Sequence, residues 1–113
     1  MNIIFAYSNI FFTRRIDSFR SNLSLIRKKC SYSFGKVIIT DSRLIAKGLI
    51  FKSIDTPLTE EYSSNYNYSD NDSEITLFGN FGGNSFSLTF KPSNKSALIN
   101  YLTSIGIHEH KTV

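Results

Sequence analysis

Between Ser85 and Phe90 the chain alternates strictly: Ser85, Ser87 and Thr89 are polar, and Phe86, Leu88 and Phe90 are apolar. Successive side chains of a strand point to opposite faces, so this pattern demands a strand with one face buried and one face wet. Half-buried strands belong to antiparallel sheets, because the helices of a parallel sheet cover both of its faces. Residues 74–81 read as a partner strand, with Ile75 and Leu77 on one face and Thr76 and Phe78 on the other, and Gly82-Gly83 is a tight-turn pair between the two. Whatever else the chain forms must cover the apolar face of this hairpin.

Upstream, Val37 to Thr40 is a short β-branched run, Asp41-Ser42 a turn signal, and Leu44-Ile45 with Leu49-Ile50-Phe51 a second apolar stretch around Gly48. These predict strands over 36–40 and 43–52. In the first third Phe12, Ile16, Phe19, Leu23, Ile26 and Cys30 recur at spacings of four and three, which predicts an amphipathic helix over about 12–29 with its cations off the stripe. Residues 55–73 combine Pro57 with Ser, Asn, Asp and Tyr and read as a long loop, with a short strand near 56–60 as an option. Downstream, Pro92-Ser93 opens a helix with Ser93 as N-cap. Leu98, Ile99, Tyr101, Leu102 and Ile105 give it an apolar face, and Gly106 stands at the C-terminal cap with Ile107 after it. Residues 108–113 are expected to fray.

The expected class is therefore α+β: an N-terminal amphipathic helix within residues 1–30, an antiparallel sheet or roll of four to six strands, and a C-terminal helix. The 113 residues suffice for one domain. A lone cysteine, Cys30, excludes an internal disulfide. The apolar start, residues 1–12, has its cations after it rather than before, unlike a secretory signal. As a helix it would span about 18 Å, against a hydrocarbon core of about 30 Å. A cytoplasmic protein is expected.

From Gly35 to Ile107 the segments GKVIITDSRLI (35–45), ITLFGNFGGNSFSLTF (75–90) and PSNKSALINYLTSIGI (92–107) resemble bacterial PH-like domains. The resemblance implies a roll of antiparallel strands closed by a C-terminal helix, in a non-enzymatic module that binds lipid headgroups or proteins.

Charge is unevenly spread. Residues 1–53 carry ten Lys and Arg against two acids, a net of +8, and residues 54–113 carry three Lys against seven acids, a net of −4. Such a chain shows different faces to different partners. The cations Arg14, Arg15, Arg20, Arg27, Lys28 and Lys29 on the expected helix suit an anionic membrane surface or, less well given the mixed charge, nucleic acid. Tyr62, Tyr66 and Tyr68 with Glu60, Glu61, Asp70 and Asp72 have the chemistry of an adaptable protein-contact loop. Protein binding, as a stoichiometric inhibitor or immunity protein, is the leading expectation. A homodimer through the Phe12–Cys30 stripe is a further option.

Other constellations point to solvated surface or turns rather than chemistry. His108-Glu109-His110 offers two imidazoles where zinc takes three or four ligands. Asp70, Asp72 and Glu74 lack the glycine and distant glutamate of a calcium loop. Gly79 to Gly83 joins two strands, whereas phosphate-cradling loops lead into helices. Cys30 lies on an apolar stripe, and both histidines lie in the tail. No enzyme activity, cofactor or metal is expected.

Overall fold

The computed structural model describes residues 2–19, 25–49, 52–81 and 84–110. One antiparallel meander comprises β1 (Ile3–Phe19), β2 (Leu25–Thr40), β3 (Arg43–Lys47) and β4 (Lys52–Pro57). A 3₁₀ helix, Glu60–Asn65, then leads into a second meander of β5 (Tyr66–Asn71), β6 (Glu74–Phe81) and β7 (Asn84–Phe90). Helix α1 (Lys95–Ser104) and the two-residue β8 (His108–Glu109) complete the order. All eight strands lie in one sheet, ordered β4-β3-β2-β1-β7-β6-β5-β8, which curls into a half-barrel. Only the β5–β8 pair is parallel.

This architecture is mostly β and corrects the α+β expectation. Residues 12–19 and 25–30 extend as strands, pairing Phe12 with Tyr32, Arg14 with Cys30 and Ile16 with Lys28. The amphipathic helix does not form there, and its Arg20 and Leu23 lie outside the described residues. The physical reason is one of period. Phe12 to Ile16 and Ile26 to Cys30 are steps of four, and an even step also returns to the same face of a strand. Ile10, Phe11, Phe12, Thr13 and Ile16 are β-branched or aromatic, which favours the extended chain.

The long loop is also corrected. Thr56 and Pro57 end β4, and Tyr66 to Asn71 form β5. Tyr66 and Tyr68 are buried while Asn67 and Ser69 are half-buried, a period of two whose apolar members are tyrosines. The expected strand over 43–52 divides into β3 and β4, with Leu49 exposed between them. The hairpin β6–β7 forms in the expected register, from Ile75 opposite Phe90 to Phe81 opposite Asn84, and its Gly82-Gly83 turn lies outside the described residues. His108 and Glu109 are not frayed: they pair with Asn67 and Tyr68.

Two bulges set the curl. β1 and β2 lose register between Ser8 and Phe12, where Asn9 and Phe34 take positive φ (54° and 57°). In β2 this switches the inward parity from Tyr32, on one side of the bend, to Gly35, Val37 and Ile39 on the other. Gly35 is required at the bend, since a Cβ there would stand 2.3 Å from the Phe12 ring. The inward rows pack Phe12, Phe90, Ile75, Leu88 and Leu77 from one half of the sheet with Val37, Ile39, Leu44 and Ala46 from the other. Helix α1 buries Leu98 and Leu102 against them.

Its ends are fixed by specific contacts. Asn94 is the N-cap position, one residue past the expected Ser93, and accepts a 2.6 Å bond from the Tyr7 hydroxyl. Lys95 pairs with Asp70 at 2.5 Å. At the other end Gly106 has φ +91°, Ile107 N–H donates back to the Leu102 carbonyl, and Ile107 is fully buried, as the cap signal predicts.

Gly35→Ala is expected to destabilise the fold by about 1–3 kcal/mol through overpacking against Phe12. Chemical denaturation of the variant checks this, with an unchanged midpoint counting against the tight bend.

Candidate functional site

The most exposed large apolar side chains among the described residues are Leu49 (82%) and Phe34 (68%). They belong to the same end of the sheet. β2 pairs with β3 through Lys36 opposite Lys47; Phe34 lies two residues before Lys36 in β2, and Leu49 two residues after Lys47, past the end of β3. The Lys36–Lys47 pair ends the ladder, so Phe34 and Leu49 lie just past the point where β2 and β3 part. Lys52 of β4 stands in register with Lys47. Gly48 lets the β3–β4 connection close on the Tyr32 ring, where a Cβ would lie 2.7 Å from it. Phe11, 60% exposed, lies between the β1 positions that pair with Gly35 and Tyr32, and so adds to the bend.

This tip carries two costs. A bulky residue at positive φ is a backbone outlier, worth of order 1–3 kcal/mol, and Phe34 bears it while pointing its ring to solvent. Like charges directly opposite on neighbouring strands repel, and Lys36 and Lys47 do so with no carboxylate paired to either among the described residues. Among the described residues the ion pairs Arg15–Asp17, Arg43–Asp55 and Lys95–Asp70 lie elsewhere.

The expected basic set is scattered by the strands. Arg15 and Lys29 face each other across β1 and β2, and Arg15 also bonds Asp17 at 3.3 Å. Arg14 shares a register row with Cys30 and Leu88, and its Nε is buried with no hydrogen-bond partner. Arg27 and Lys28 sit opposite Asp17 and Ile16. Register places Arg15, Arg27 and Lys29 on one face of the β1–β2 ladder and Arg14 and Lys28 on the other, and Arg20 lies outside the described residues. Of the stripe expected to pair two copies, Phe12 is fully buried within its own chain and Ile16 and Cys30 are half-buried.

The acidic tyrosine segment separates in the same way. Glu60, Glu61, Asp70 and Asp72 are exposed and Tyr62 is half-buried, while Tyr66 and Tyr68 are core residues. The Tyr66 hydroxyl donates to the Pro57 carbonyl and lies 2.9 Å from the Thr56 hydroxyl, which is left to donate to it. Tyr66 thus ties β5 to β4 across the open side of the half-barrel. Among the described residues no group of three His, Cys, Asp or Glu side chains is placed to hold a metal ion, and no helix is long and apolar enough to cross a membrane.

A second concavity, of about 350 Å³, opens on the outer face of β1, β7, β6 and β5 and is lined by Arg15, Asp17, Asn67, Phe78, Asn80 and Ser87 with their neighbours. A third, of about 370 Å³ and more apolar, lies between Phe11, Ile10 and Phe90, with Glu74 and Lys91 at its margin. The lysine pair, Leu49 and the outer concavity escape a linear reading because each arises from cross-strand register. No protein-family model and no curated protein matches this sequence.

Burial pushes the Tyr7 hydroxyl up to about 12 and raises Tyr66 and Tyr101 from the ordinary value as well. A tyrosine whose folded pKa lies above its unfolded value of about 10 stabilises the fold below that value and loses the contribution as pH rises. For Tyr7 the loss runs from about 10 to about 12. Alkaline denaturation is expected in that window. Tyr7→Phe is expected to flatten it while giving up the bond to Asn94, as thermal melts at stepped pH would read.

Proposed function

We propose that this chain is a non-catalytic binding module that docks on anionic membrane surfaces through the tip formed by Phe34, Leu49, Lys36 and Lys47. The observation that carries the reading is the juxtaposition of the two most exposed apolar side chains with a facing lysine pair. Water disfavours the apolar pair, and the two facing ammonium groups repel each other. An anionic bilayer interface suits both, because apolar side chains enter the headgroup–acyl boundary while lysine stems lie along it and their ammonium groups meet lipid phosphates. Burying Phe34 and Leu49 contributes about 1.5–3 kcal/mol each, and each lysine adds about 1 kcal/mol near an anionic leaflet. The sum describes a reversible peripheral contact. A curled sheet is compatible with the PH-like resemblance, whose members bind lipid headgroups or proteins.

Protein binding, the leading expectation from sequence, included Tyr66 and Tyr68, which serve the core, and keeps Glu60, Glu61, Asp70, Asp72 and the half-buried Tyr62 at its surface. The nucleic-acid reading lacks a reason for an exposed leucine at the centre of the cations.

Co-sedimentation with vesicles of phosphatidylcholine, with and without phosphatidylserine, tests the proposal. Binding is expected only with the anionic lipid, and it should weaken as salt screens the lysines. Lys36→Glu with Lys47→Glu is expected to weaken it by roughly thirtyfold or more, since two contributions of about 1 kcal/mol are lost. Leu49→Ser, at a solvent-exposed turn, should weaken it without altering the melting temperature. Equal sedimentation with both vesicle types, or none with either, overturns the reading. Capture by an oligonucleotide in place of vesicles does so too.

A further inference from the structure

We infer that the concavity on the outer face of β1, β7, β6 and β5 is a binding site for a neutral, multiply hydroxylated ring of the pyranose class. It is independent of the tip. Two register rows build it. The first runs Asn67–Phe78–Ser87–Arg15 across the four strands. The second, two residues along, runs Asn80–Ser85–Asp17, and Asn65 closes the end from the 3₁₀ helix. Neighbouring strands lie about 4.8 Å apart and alternate residues about 7 Å apart along a strand. The polar groups therefore stand on a rigid grid rather than on a loop.

Three features choose the ligand. The first is charge: Arg15 and Asp17 are ion-paired at 3.3 Å, and the other lining groups are uncharged, so the lining itself carries no net charge, and Lys29, opposite Arg15 on β2, lies outside it. The second is hydrogen-bond chemistry. Asparagine amides both donate and accept, serine hydroxyls do the same, and the guanidinium and carboxylate add planar paired donors and acceptors. A ring that carries several adjacent hydroxyls, each itself donor and acceptor, matches that set. The third is Phe78, an aromatic half-buried in the middle of the first row, which offers an apolar surface to the C–H face of such a ring. The volume, about 350 Å³, falls within the range of small-molecule sites, about 300–1,000 Å³.

Titration of the ¹⁵N-labelled full chain with the methyl pyranosides of glucose, galactose, mannose and N-acetylglucosamine, followed by NMR, tests the inference. At least one is expected to give saturable shifts confined to the Asn67 and Asn80 side-chain amides and the backbone around Ser87. Asn80→Ala removes an exposed side chain, and its spectrum should otherwise match the parent. It is expected to weaken the response by about threefold to tenfold, as the loss of one hydrogen bond requires. Arg15→Gln, a second variant, should do the same. Saturable shifts with none of the four sugars overturn the proposal. Shifts of equal size in Asn80→Ala overturn it as well, as does a site that answers to inorganic phosphate or adenosine in place of the sugars.

Discussion

The structure depends on bending one hairpin. A fully extended strand of seventeen residues, the length of β1, is about 55 Å long, yet the longest dimension of the molecule is 42 Å. β1 and β2 can therefore share a single small core only if they fold over on themselves. The bulges at Asn9 and Phe34 achieve this, and Gly35 lets the Phe12 ring sit in the crease. On one side of the bend the hairpin pairs with β3. On the other it pairs with β7, so the two meanders become one sheet rather than two. The Tyr66 hydroxyl then ties β5 to β4 where no ladder joins them.

The same bulges explain what a reader of the sequence can and cannot see. β7 has no bulge, so its alternation from Ser85 to Phe90 is unbroken, and the hairpin with β6 follows directly. The C-terminal cap at Gly106 and Ile107 is equally local, because a left-handed residue and its hydrophobic contact are adjacent in the chain. β1 and β2 differ. Each switches parity in mid-strand, so neither shows a continuous period of two, and the residual pattern of four and three imitates a helix. β5 is hidden for another reason. Its buried residues are tyrosines, which pass as polar beside asparagine and serine, and only the internal partner of the Tyr66 hydroxyl reveals that a ring of that kind is core.

The candidate sites were less legible than the fold, and for a physical reason. Leu49-Ile50-Phe51 reads as strand interior because apolar residues in sequence suggest burial. What exposes Leu49 is the turn between β3 and β4, set by a ladder that ends at Lys36 and Lys47. The lysines themselves are eleven positions apart in sequence and unremarked there; antiparallel register makes them neighbours. The outer concavity draws on four strands and a 3₁₀ helix, so no window of sequence contains it. Of the clusters that sequence does display, the acidic tyrosine one loses Tyr66 and Tyr68 to the core, and the basic one divides between the two faces of the β1–β2 ladder.

The uneven charge, in contrast, survives folding and gains a direction. Residues 1–53, with a net charge of +8, build β1 to β3 and the tip. Residues 54–113, with −4, build most of β4, the 3₁₀ helix, β5 to β8 and α1, with Glu60, Glu61, Asp70 and Asp72 exposed. A molecule with its charge separated in this way turns in the field of an anionic surface so that the cationic edge leads. On the proposed reading Phe34 and Leu49 stand beside the leading cations, so the field that orients the molecule would bring the apolar groups to the surface first. Long-range attraction of this kind acts over about a Debye length, near 8 Å at physiological salt, whereas apolar burial acts only on contact. On the proposed reading charge selects the approach, and the two exposed side chains hold the contact once it is made.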